Sequence, residues 1–159
     1  MTMAITEQDI IKARLAWGDA LIAISQAFEE GGIEQARPVA SAAIDDLYGF
    51  EFGPILFKPT LSGGPQTFRP TKEGTLSYFV GHDETYPQDG GFGLNGWRSM
   101  ESETSSFVLE DNMALWMGWI MLTNKEGSVV KVDNSFGYKK NEAGRLKIIL
   151  HHSSLPFQS

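Results

Sequence analysis

The chain has 159 residues and a mass of 17.6 kDa, which suits one domain spanning residues 1–159 with a sizeable core. It carries 20 acidic against 13 basic side chains, for a net charge of −7 and a pI near 4.9. Without a Lys/Arg cluster that balance argues against nucleic acid and anionic membranes as partners and favours a small neutral substrate. The absence of cysteine excludes disulfides, thiolate metal sites and a cysteine nucleophile, and no apolar run is long enough to span a membrane.

The opening "MTMAITEQDI" has no basic segment and carries acid early. No signal or transit peptide is visible there, and the expectation is a cytoplasmic protein, a removed presequence to periplasm or plastid apart. Thr6 with Asp9 resembles a capping box in which Asp replaces the usual Glu or Gln. Beyond it Ile10, Ala13, Trp17, Leu21, Ile24 and Phe28 form the stripe of an amphipathic helix that ends before Gly31-Gly32. A second helix is predicted from Pro38, whose fixed φ suits a first turn, to Gly49. Tyr48, Phe50 and Phe52 then lead into the extended "FEFGPILFKPT".

Residues 62–74 read as loop, and "TLSYFVG" (75–81) as one or two helical turns. "HDETYPQDGGFGLNG" is a second long loop, and its "GGFGLNG" lacks the strand–loop–helix context and following Lys of a phosphate-binding loop, leaving a flexible connector. Four strand-like runs follow, "WRSMESETSSFVLE", "MALWMGWIMLT", "SVVKVDNSFGYKK" and "RLKIILHHSS", separated by the turns "EDN", "NKEG" and "NEAG". They predict an antiparallel meander whose second run is central and covered on both faces, with Trp116, Met117 and Trp119 as packing residues. Helices followed by a curved antiparallel sheet make an α+β fold.

Two of the three histidines stand together near the close of the last strand, in "KIILHHSSLPFQS". Strand alternation sends His151 and Ser153 to one face and His152 and Ser154 to the other, so at most one His/Ser pair lines a given cavity. Zinc needs three or four ligands at about 2 Å. With only His82 and two diverging strand histidines for nitrogen, scattered acids, and a "DNS" at 133–135 that is no calcium loop, no metal site is expected.

"ILHHSSLPF" after a sheet, preceded by a long helix, "ILFKPT" and "GTLSYFVGHD", resembles the iota-class carbonic anhydrases along nearly the whole chain. Those proteins use the association-domain fold of calcium/calmodulin-dependent kinase II, within the nuclear-transport-factor-two-like superfamily. The resemblance implies a cone-shaped fold, N-terminal helices packed on a strongly curved antiparallel sheet, and a cavity between them. It implies reversible hydration of CO2 to bicarbonate, with Thr60, Tyr78, His151 and Ser153 as catalytic residues and Thr60, Tyr78 and Ser153 holding the substrate. That family has been described both with and without a metal, and the shortage of nitrogen ligands favours the metal-free form with no cofactor.

Without an ion, His151 is the natural base at neutral pH, and Tyr78, whose pKa is ordinarily about 10, is mainly a hydrogen bonder. Thr60 and Ser153 hydroxyls both donate and accept, and Phe57 and Trp116 are expected on the CO2-holding wall. Two alternatives stay open: a non-catalytic oligomerisation or ligand-binding module, and an isomerase or cyclase using a cavity carboxylate such as Asp83 or Asp133. A homodimer through the apolar sheet is expected in either case.

Overall fold

A computed structural model describes residues 4–159. Thr6 opens helix α1 (Glu7–Leu47): its hydroxyl accepts from Asp9 N at 3.2 Å while the Asp9 carboxylate accepts from Thr6 N at 2.8 Å. The shorter Asp thus closes the capping box. The helix is broken at Gly32, where φ is 70°, a left-handed value that glycine adopts without strain. Ile10, Trp17, Leu21 and Ile24 bury the inner stripe of the first half.

The second half differs from the sequence expectation. It resumes directly after Gly32, and Pro38 lies inside it. A proline there removes one helical N–H, which disfavours the turn. Ala36, Ala40 and Ile44, spaced by one turn and buried, hold the segment against the first half and the sheet. At its end Gly49 N donates to Ile148 O at 2.8 Å, docking the helix terminus on the last strand.

Five strands form one open mixed sheet in the order β1-β5-β4-β3-β2. Four of them, β2 (Trp97–Leu109), β3 (Met113–Asn124), β4 (Val129–Lys140) and β5 (Leu146–Ser154), make the expected antiparallel meander. The fifth, β1 (Leu56–Lys58), comes from the extended "ILFK" and pairs parallel to β5, setting Phe57 opposite His151. The ladder shifts register twice in β2 and once at Gly137/Tyr138, irregularities of the kind that bend a strand and increase its twist.

The strand in the middle is β4, not β3, and β3 is covered on one side only. Its Ala114, Trp116, Ile120 and Leu122 are buried under the helices, whereas Leu115, Met117 and Trp119 on the outer face are 46%, 59% and 40% exposed. Apolar residues on both faces make a strand look central, but α1 can cover only one of them.

Helix α2 (Lys72–Val80) begins earlier than its apolar residues suggest, because the Thr71 side chain accepts from Gly74 N. α2 and the loop after it close one end of the space between α1 and the sheet.

Candidate active site

Three separate segments bring Thr60, Tyr78, His151 and Ser153 onto one small cavity of about 10 Å³. That is roughly the space of one water molecule. Thr60 sits in the turn after β1, Tyr78 on the inner side of α2, and His151 and Ser153 on the inner face of β5. Both β5 residues are buried, while His152 is exposed and Ser154 half-exposed, as strand alternation requires. The Thr60 and Ser153 hydroxyls lie 2.6 Å apart. Tyr78 Oη accepts from Leu61 N–H at 3.3 Å and also lies within hydrogen-bond reach of Thr60.

The remaining walls are apolar, from Phe57, Phe79, Phe92, Leu122, Val132 and Trp17. Phe57 is therefore on the wall, as expected. Trp116 is not: its indole donates to Thr104 Oγ1 at 2.8 Å and lies under the Arg14 guanidinium, 4.4 Å away. Phe92 corrects the flexible reading of "GGFGLNG": its ring stacks on Tyr78 with centroids 5.5 Å apart. The same loop is anchored by Asp89, which takes two bonds from Arg69 at 2.7 and 2.8 Å and one from Ser77 at 2.7 Å. This ion pair is buried on both sides and fixes α2, hence Tyr78, against the loop.

Among the described residues no carboxylate lines the cavity. Asp133 is on the outer face, accepting from Trp119 Nε1 at 2.9 Å, and Asp83 holds a turn through Thr85 N. Among the described residues no three His, Cys, Asp or Glu side chains gather as metal ligands. His82 turns to Val80 O at 2.8 Å and does not join the strand histidines.

Burial governs the titration of what is there. Desolvation pushes the Tyr78 phenol up to about 12, so it stays protonated at neutral pH. Desolvation, helped slightly by His152, lowers His151 from 6.5 to about 3. Its ring stacks on Phe57 at 4.8 Å and leans on Phe136 at 4.5 Å. Both nitrogens are engaged, Nδ1 with Tyr48 Oη at 2.9 Å and Nε2 with Asn134 Oδ1 at 3.2 Å. A neutral imidazole with no free lone pair is a poor proton acceptor, which weighs against His151 as the base.

Tyr48, Trp17 and Asn134 were not singled out in the sequence as site residues. Helical periodicity does put Trp17 on the inner stripe, and strand alternation puts Asn134 on the face of Val132 and Phe136. No pattern, however, links positions so far apart to His151.

Over residues 8–155 the chain matches the family model of metal-independent carbonic anhydrase. A metal-independent carbonic anhydrase of Nostoc sp. (strain PCC 7120) is 45% identical over 155 residues, 98% of this chain and 76% of that one. Among solved structures, the iota-carbonic anhydrase from a cyanobacterium, complexed with bicarbonate, matches with a TM-score of 0.98 at 44% identity, covering 100% of this chain and 97% of that one. A protein from Xanthomonas campestris described as a calcium/calmodulin-dependent protein kinase II association domain matches with a TM-score of 0.55 at 22% identity, over 100% and 97% of the two chains, a likeness of fold alone.

Proposed function

The chain belongs to the metal-independent carbonic anhydrase family, and from that premise we propose that it hydrates CO2 reversibly to bicarbonate in the cavity between α2 and β5. The observation that carries the mechanism is the 2.6 Å pair of Thr60 and Ser153 hydroxyls on the wall of an otherwise apolar space. A hydroxyl can accept one proton while giving up its own. In this reading a water held by the pair attacks the CO2 carbon. One water proton passes to a hydroxyl oxygen, and that hydroxyl's proton moves to a CO2 oxygen. One C–O bond forms, one C=O π pair becomes an O–H bond, and carbonic acid leaves to ionise in bulk water.

No protein group ends charged in this scheme. That suits walls that hold Tyr78 protonated and His151 neutral. Tyr78 donates to the CO2 oxygen that gains electron density, an oxyanion-hole role in a dry site. His151 serves as a neutral part of the wall rather than as the base. Among the described residues no carboxylate lines the cavity, which disfavours an isomerase or cyclase that needs one as proton shuttle.

Stopped-flow CO2 hydration by protein treated exhaustively with chelator tests the reading. Retained activity is expected. Loss that one particular ion restores would overturn the metal-free mechanism, and no hydration under any condition would leave a non-catalytic module.

A homodimer is also proposed, with two copies meeting on the outer face of β2 and β3. Leu115, Met117 and Trp119 expose a contiguous apolar strip there that α1 does not reach.

A further inference from the structure

The bonds around His151 have a direction, and Trp17 sets it. An indole N–H can only donate, so Trp17 Nε1 gives its proton to Tyr48 Oη, 3.2 Å away. The other partner of that oxygen is His151 Nδ1 at 2.9 Å. Tyr48 is buried, and its hydroxyl proton finds an acceptor only if Nδ1 carries a lone pair. The proton of the neutral ring is then on Nε2, pointing at Asn134. Asn134 must turn its carbonyl oxygen to the ring, and its Nδ2 is left buried without a partner among the described residues. A buried amide donor left unpaired is costly and uncommon. This one belongs to the residue directly opposite Ser153 in the β4–β5 ladder.

We propose that Tyr48 is a positioning residue for the reaction: braced by Trp17, its hydroxyl locks His151 as the Nε2–H tautomer, and the locked ring leaves the Asn134 Nδ2 hydrogens, not its carbonyl oxygen, free beside Ser153. The oxygens of carbonic acid and bicarbonate accept hydrogen bonds. Asn134 stands behind the cavity wall at Ser153, its register partner, rather than on the wall itself. Its N–H dipole therefore favours the negative charge that builds on these oxygens, where an outward-turned carbonyl oxygen would oppose it. The chain of donors runs one way, from a group that cannot accept to a group with hydrogens to spare. The proposal rests on the CO2-hydration reading, since the role of the oriented amide is defined by that product.

Nitrogen-15 NMR of the histidine side chains, combined with hydration kinetics, tests it. In the intact wild-type protein His151 is expected as a single neutral tautomer, protonated on Nε2. Bicarbonate should shift the Asn134 side-chain NH2 resonances. Tyr48→Phe removes only the hydroxyl; it should redistribute the His151 proton toward Nδ1 and lower kcat roughly tenfold to a hundredfold with KM changed less than about threefold. A wild-type ring protonated on Nδ1 would overturn the proposal without recourse to any variant, which covers the case of a Tyr48→Phe protein that does not fold. A folded Tyr48→Phe protein with unchanged tautomer and kcat would overturn it as well. Wild-type protein with the expected tautomer but no hydration activity would sink the functional reading, and this role with it, while leaving the hydrogen-bond chain as a feature of the fold.

Discussion

β5 carries the same two residue types twice, His151 with Ser153 on its inner face and His152 with Ser154 on its outer face. The first pair is buried against Phe57, Phe136, Tyr48 and Thr60, while His152 is exposed and Ser154 half-exposed. Chemistry alone does not distinguish the pairs. What separates them is a single step along a strand, which exchanges water for a dry wall with fixed partners. A histidine or serine is therefore informative only together with its face.

Serine gives the largest expected difference. Ser153→Ala removes a hydroxyl from the proton-passing pair and should cost two to three orders of magnitude in turnover, roughly 3–4 kcal/mol. Thr60→Ala and Tyr78→Phe should fall in the same range, while Ser154→Ala stays within a few-fold. Stopped-flow rates checked against circular dichroism decide this. A crippled Ser154→Ala beside a healthy Ser153→Ala would shift the register by one residue and reverse the comparison.

Histidine gives the next. Ordinarily near 6.5, His151 is held at about 3 by burial in the folded protein. Below pH 6.5 the unfolded chain takes up a proton that the folded chain refuses, so this group's contribution lowers stability as the pH falls toward 3. The slope is about 1.4 kcal/mol per pH unit. In urea unfolding between pH 4 and 6, the stability of wild type and of His152→Asn should fall more steeply with falling pH than that of His151→Asn, by up to about that amount. Equal slopes in all three proteins would mean that His151 titrates normally. The same neutrality predicts no step near 6.5 in the pH profile of hydration.

The outer face gives the smallest effect on the fold. Met117 is 59% exposed, so Met117→Glu should change monomer stability by no more than about 0.5 kcal/mol. If β2 and β3 form the dimer face, it should nevertheless convert a species of twice 17.6 kDa into one of 17.6 kDa in sedimentation at micromolar concentration. A wild type already at 17.6 kDa would end the dimer proposal.

Local rules made much of this legible in the sequence. The Thr6 cap, the inner stripe of α1, the four antiparallel strands and the opposite faces of His151 and His152 follow from backbone periodicity, which needs no knowledge of neighbours. Family resemblance in "KPT", "LSYF" and "HHSSLP" pointed to four residues that the fold brings onto one cavity. Tertiary packing decided the rest. It set β1 parallel to β5, put β4 rather than β3 in the middle, and carried helix through Pro38, because in each case burial against a distant segment outweighed the local signal. It also decided the chemistry of His151. An imidazole's pKa and tautomer depend on lost water and on the groups that replace it, and here those are Trp17, Tyr48 and Asn134. Asn134 reaches His151 through the β4–β5 pairing, whereas Trp17 and Tyr48 meet it only once α1 lies across the sheet.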